Sequence, residues 1–251
     1  MKPYFVLLAL LVPCVALGAD DPYRSIGWEA KGSTERDAYG STHYETTPQV
    51  EGYALTSYAK AAWQEEVRLS CNDARESINP RLVSDPTGVI HVVWKDNWHA
   101  HNEILHRSGG GTSWNEIQTI SDPDTSHNSP WIAIDSDRNL HVVFLRWTGI
   151  PWGDYDIGYR KYNHALGMWE LEERLTNFEA IGHSGRPKVL CDTSGTVHIF
   201  WLYDDPPRAI WYMYNDGSGW TAKETVTDPA DSPNGYFGTT VGPDNTIHCV
   251  W

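Results

Sequence analysis

Three stretches carry side chains whose types suit the recognition of a sugar. They are Asp96-Asn-Trp98-His99-Ala-His101-Asn102, Arg146-Trp147 through Trp152-Gly-Asp154-Tyr155-Asp156, and Tyr203-Asp204-Asp205-Pro-Pro-Arg208. An aromatic ring stacks on the apolar face of a pyranose, while carboxylates, amides and imidazoles meet its hydroxyls. On that chemistry Trp98, Trp147, Trp152 and Tyr155 would stack, and Asp154, Asp156, Asp204 and His101 would hydrogen-bond. Arg81 and Arg186 each stand beside a proline, at or beside what reads as the start of a strand, and are further candidates for ligand contact. Glycoside hydrolysis needs two carboxylates at a defined separation. Asp96, Asp154, Asp156, Asp204 and Asp205 all qualify by type and none by spacing, so no residue is assigned a catalytic role.

Other chemistries are poorly represented. His99 and His101 lack a placed third ligand and there is no Cys-x-x-Cys, so no metal centre is expected. No Gly-rich strand-to-helix motif occurs, so no nucleotide or flavin cofactor is expected either.

The elements that must position these loops repeat along the chain. Gly88-Val-Ile-His91-Val-Val-Trp94 returns as Asn139-Leu-His141-Val-Val-Phe144, Gly195-Thr-Val-His198-Ile-Phe-Trp201 and Asn245-Thr-Ile-His248-Cys-Val-Trp251. A period of 50 to 57 residues marks a repeat architecture. β-Branched residues around each His, an aromatic after it and a turn before it make this a strand. A second series, Trp63, Trp114, Trp169 and Trp220, keeps the same time. Each unit reads as four antiparallel strands, A to D: strand A opens at Pro80, Pro130 and Pro187, an Asp-led turn follows, B holds the His, and C and D end the unit. Four such strands in about 50 residues describe a β-propeller blade. The His and Trp series recur once per blade, so they are expected to serve packing, with the histidines satisfying buried backbone groups between blades.

Strand direction places the B–C loops and the D–A links at the end where strand A starts. Function is expected on that face, because those loops differ while the A–B and C–D turns are stereotyped.

The repeats resemble the sialidase-superfamily and BNR-type propellers of secreted bacterial proteins, over Gly52 to Trp251. The turn before the D-strand Trp is similar to a degenerate Asp-box of that family: Gly and Trp keep their places in Arg107 to Trp114 and in Asn215-Asp-Gly217-Ser-Gly-Trp220, with Asn215 at the Asp place. For an active sialidase the resemblance implies an arginine cluster for the substrate carboxylate, which Arg81 and Arg186 would supply in part, with a Tyr/Glu pair and an Asp acid. The family's early Arg-Ile-Pro is absent; Arg24-Ser-Ile26 is a loose echo.

By segment, residues 1–19 read as a signal peptide (Lys2, the apolar run Phe5 to Val12, then Ala16-Leu17-Gly18-Ala19) and 20–51 as an irregular lead. Residues 52–251 form the propeller: C and D strands in 52–70, blades near 77–121, 128–176 and 185–227, and A and B strands in 236–251. The two half-blades would complete one blade, giving a four-bladed ring; a longer propeller is the preferred reading. Cys191 and Cys249 fall in neighbouring repeats, as buried thiols or as a pair.

The formal charge of −14 argues against nucleic acid and anionic membranes as partners. The apolar run is too short for membrane insertion. The expected protein is a secreted, all-β, non-catalytic propeller that binds a glycan through its B–C loop face. A sialidase-like hydrolase and an extracellular protein-interaction scaffold are the alternatives.

Overall fold

A computed structural model describes residues 66–251 except 72–74, 98–100, 150–154, 178–183, 205–207, 229 and 231–234, together with Val6 and Leu7. These described residues belong to one unit of the chain. The leader and lead, the first predicted C strand and Trp63 lie outside them, apart from β1 (Val6–Leu7), which pairs with β2 (Val67–Arg68).

Three blades follow in the predicted order. The first comprises β3 (Ser77–Ser84), β4 (Ile90–Asp96), β5 (Glu103–Gly110), β6 (Ser113–Trp114) and β7 (Gln118–Thr119). The second comprises β8 (His127–Ile134), β9 (Leu140–Trp147), β10 (Tyr155–Asn163), β11 (Met168–Trp169) and β12 (Glu173–Arg174). The third comprises β13 (Ser184–Cys191), β14 (Val197–Tyr203), β15 (Ala209–Asn215) and β16 (Glu224–Thr225). Each is an antiparallel sheet in the order A-B-C-D, with D reduced to short pieces along the edge of C. A final pair, β17 (Gly238–Val241) and β18 (Ile247–Val250), supplies strands A and B of a fourth unit. Among the described residues no ladder joins this pair to β2, so the sheets do not close into a ring.

The B strands explain the stacking. Val92, Val93 and Trp94 are buried in succession, as are Val142, Val143 and Phe144, and Ile199, Phe200 and Trp201. A strand buried on both faces needs such an unbroken apolar run, because a neighbouring blade covers each face. Phe144 packs with Val93 and Ile104 of the blade before it, and Trp201 with Val143 and Ile157 of the blade before it. Burying each of these rings stabilises the stack by about 2–3 kcal/mol. The second aromatic series also reaches backwards: Trp169 Nε1 donates to Gln118 (3.2 Å) and Trp220 Nε1 to Glu173 (3.2 Å). At Gly158 in β10 a Cβ would lie 2.3 Å from the buried Phe144 ring, so this C strand requires glycine there.

The histidines do something other than expected. They satisfy side chains of their own blade, not backbone groups between blades. His141 Nδ1 lies 2.8 Å from the Tyr159 hydroxyl and Nε2 3.0 Å from Asp135. His198 repeats this with Tyr212 (2.8 Å) and Asp192 (3.4 Å). A carboxylate only accepts, so Nε2 carries the proton and Nδ1 accepts from the phenol. Each His thereby ties strand C to the Asp that opens the A–B turn, whose other oxygen caps backbone N–H groups of that turn. In the first blade His106 replaces the tyrosine, and its Nε2 stands 3.2 Å from His91 Nδ1. The cysteine pair does not form: Cys191 and Cys249 are both free thiols.

Candidate functional site

Strand A opens differently from the sequence expectation. The strands begin three residues before each proline, and a β-bulge interrupts the A–B register at the proline in all three blades. The residue before each proline takes a left-handed conformation: Asn79 (φ 55°), Ser129 (φ 49°) and Arg186 (φ 50°). Left-handed geometry is costly for a non-glycine residue, and a following proline restricts it further. The same strained unit at one register in three consecutive blades re-aims the side chain after the proline.

That position holds Arg81, Trp131, Lys188 and, in the fourth unit, Phe237. Successive strands A approach one another here, and the four side chains interleave across the blades. The Arg81 guanidinium carbon is 4.6 Å from the Trp131 ring centroid, Lys188 Nζ is 4.6 Å from the same centroid, and Lys188 Nζ is 4.9 Å from that of Phe237. Cation, aromatic, cation and aromatic thus alternate over four units. At the rim Arg186 lies 3.8 Å over the Tyr236 ring, which is 79% exposed. Together these side chains line a cavity of about 290 Å³ at the strand-A end.

The electrostatics are unusual for so acidic a chain. No carboxylate lines this cavity among the described residues. Burial, and then the charge of Arg81, pull the Lys188 ammonium below its ordinary range. Ring faces hold the cations in place without neutralising them, each contact contributing about 0.5–1 kcal/mol. Such a cavity can take an anionic group on its cations and a flat apolar face on its rings.

The structure brings Arg81 and Arg186 to this one cavity. Among the described residues, those of the loops do not line it. Trp98, Trp152 and Asp154 lie outside the described residues. His101 is half-buried beside the start of β5. Trp147 ends β9, with its backbone N–H bonded to the Ser126 carbonyl and its own carbonyl accepting from Thr125. Tyr155 accepts from Asn128 Nδ2 (3.2 Å), which ties strand C to the start of strand A. Asp204 pairs with Arg208 at 2.9 Å, half in solvent. Asp156, expected at the ligand, lies in the core. It is completely buried, accepting from Thr176 Oγ1 (3.0 Å) and from the Arg174 guanidinium.

Trp131, Lys188, Tyr236 and Phe237 were not foreseen. Their signal was present: each lies at or next to the place of the strand-A proline.

No protein-family model and no curated protein matches the chain. Solved structures do match. An intramolecular trans-sialidase from Ruminococcus gnavus in complex with oseltamivir carboxylate aligns with TM-score 0.53 and 8% identity, over 69% of this chain and 65% of that one. A polysaccharide lyase, the PL25 ulvan lyase bound to -[GlcA(1-4)Rha3S]-, aligns with TM-score 0.51 and 14% identity, over 72% of this chain and 49% of that one. The chain therefore spans about half to two thirds of the length of these structures. At these identities the likeness is one of fold alone, and in fold this chain is a β-propeller similar to these structures.

Proposed function

We propose that the chain is an exported, non-catalytic propeller that binds an acidic carbohydrate at the strand-A end of its axis. The observation that carries this reading is the cavity in which Arg81, Trp131, Lys188 and Phe237 alternate, with no lining carboxylate among the described residues. A uronate-type sugar has the matching parts: an acid group for the cations and an apolar ring face for the indole. The B–C loops leave from the same end and would form an outer rim, with Trp98, Trp147, Trp152 and Tyr155 as further stacking surfaces and Asp154, Asp204 and His101 as polar ones. The two structural neighbours have acidic ligands, -[GlcA(1-4)Rha3S]- and oseltamivir carboxylate. They share the fold, and the reading for this chain rests on its own cavity.

Binding is favoured over hydrolysis by the same observation. A glycosidase brings two carboxylates to the scissile bond. Among the described acids, Asp96 is buried against Ser77 and Trp94, and Asp156 against Thr176.

Calorimetric titration with tetragalacturonate and with neutral cellotetraose tests the proposal. The acidic probe should bind, more weakly as salt rises, and the neutral one should not. Trp131→Ala should weaken binding by about tenfold, having lost both a stacking surface and the seat of two cations. Equal affinity for the two probes, or an unchanged affinity in Trp131→Ala and Arg81→Ala, would overturn it. Turnover of a fluorogenic sialoside would overturn the non-catalytic part alone.

A further inference from the structure

The fourth strand A departs from the repeat at two adjacent positions, and both departures touch one arginine. Where the earlier units have a left-handed Asn79, Ser129 or Arg186 followed by proline, the fourth has Gly235 (φ 84°) followed by Tyr236. The Arg186 guanidinium of the preceding blade fills the space that a side chain at 235 would take. A Cβ there would lie 2.8 Å from Arg186 Nη1 and 3.6 Å from Cζ. The same guanidinium lies 3.8 Å over the ring of Tyr236, the shortest cation–ring contact of the cavity. A proline at 236 would offer no ring, and any side chain at 235 would occupy the guanidinium's place.

We infer that Gly235 and Tyr236 form a seat that positions Arg186 at the rim of the cavity, so that the loss of the repeat in the fourth unit determines affinity for the acid group. Resting on the acidic-carbohydrate reading, this makes Gly235 a positioning residue: it acts through Arg186 and touches no ligand. An arginine is a flexible side chain with many rotamers, and confining it beforehand removes part of the ordering cost of binding.

Gly235→Ala places a methyl group under the guanidinium, but it also puts alanine at a left-handed φ. Gly195 supplies the control, because it has the same φ of 84° and open space around its missing Cβ. Gly195→Ala therefore carries the backbone strain without the displacement. Gly235→Ala should weaken tetragalacturonate binding by about five- to tenfold, matching Arg186→Ala, with no further loss in the double variant. Gly195→Ala should melt at a similarly reduced temperature and bind as the wild type does. A second readout needs no ligand. The Arg186 side-chain Nε–H resonance, identified by its absence in Arg186→Lys, should lie upfield under the Tyr236 ring current and move downfield in both Gly235→Ala and Tyr236→Leu. An Arg186 resonance unmoved by Gly235→Ala would overturn the seat whatever the ligand proves to be. So would wild-type affinity in Gly235→Ala beside a weakened Arg186→Ala. Failure of the acidic reading itself has a different signature, equal affinity for the acidic and neutral probes with the resonance still shifted in the wild type.

Discussion

Acid should destabilise the first blade through its paired histidines, His91, whose pKa burial lowers, and above all His106. His106 is 5% exposed, faces His91 at 3.2 Å, has Gln118 Oε1 at 3.3 Å from its other nitrogen, and lies edge-on to Trp169. Burial, and then the charge of His91, lower its pKa to about 4, against a weak opposing pull from Gln118. The unfolded chain protonates this histidine near its ordinary 6.5. Because the folded value is depressed, the unfolded state binds the proton first as pH falls. The stability is complete above about pH 6.5, is lost between 6.5 and 4, and changes no further below that. With about 1.4 kcal/mol per unit, the loss between pH 7 and 4.5 is about 2–3 kcal/mol, a large share of a typical folding free energy. His106→Gln keeps a polar group at the site and removes the titration. Urea unfolding of both proteins at pH 7 and 4.5, followed by tryptophan fluorescence, isolates the effect as the difference between their two pH dependences. A parallel pH dependence in the two proteins, within about 0.5 kcal/mol, would refute the assignment, since surface groups contribute equally to both.

Three further outcomes follow from the packing. Gly158→Ala should destabilise the protein by about 1–3 kcal/mol, because its methyl group must displace the buried Phe144 ring, and Phe144→Leu should recover part of the loss in denaturant melts. Arg138→Ala should cost about 1–3 kcal/mol in the same assay: Arg138 reaches from the second blade to Asp85, whose carboxyl, despite its burial, is held well below the usual range by Thr87, Arg138 and backbone N–H groups. The part of stability due to Asp85 is present above the ordinary carboxylate pKa and is lost as pH falls through the depressed one, so the Arg138→Ala deficit should shrink in strong acid. Thr176→Val should cost about 1–3 kcal/mol, since it removes the donor to the buried Asp156 and the acceptor of the Ile157 N–H, and Thr176→Ser should restore it.

Much of the architecture could be read from the chain because a propeller repeats the same physical problem. Each B strand must be apolar on both faces, so Val92 to Trp94, Val142 to Phe144 and Ile199 to Trp201 stand out without any structure. The histidines were found for the same reason and assigned the wrong partner. Their partners were also in the sequence: Asp135 and Asp192 each precede the His by six residues, and His106, Tyr159 and Tyr212 follow on strand C. No single strand shows this, because the hydrogen bonds run from a turn through one strand to the next. Asp156 shows the opposite error. Its type and its place beside a loop pointed to a ligand, but Thr176, twenty residues later, receives it in the core. Only the pairing of strands C and D reveals that.

The cavity was hidden by the method that revealed the fold. A repeat is detected by sameness, and Arg81, Trp131, Lys188 and Phe237 share no chemistry, so their common register carries no signal in a search for identical residues. What they share is the bulge before them, and the prolines that mark it look like ordinary strand openings. Once the bulge fixes where these side chains point, the differences between them gain meaning. Identical cations at four adjacent positions would repel, and identical rings would bury one another. Alternation seats each cation on a ring, with Trp131 holding one on either side, so charge accumulates at this end with no lining carboxylate among the described residues. In a repeat protein, then, the positions where the repeats agree build the scaffold, and a single register where they systematically disagree is where a ligand can be read.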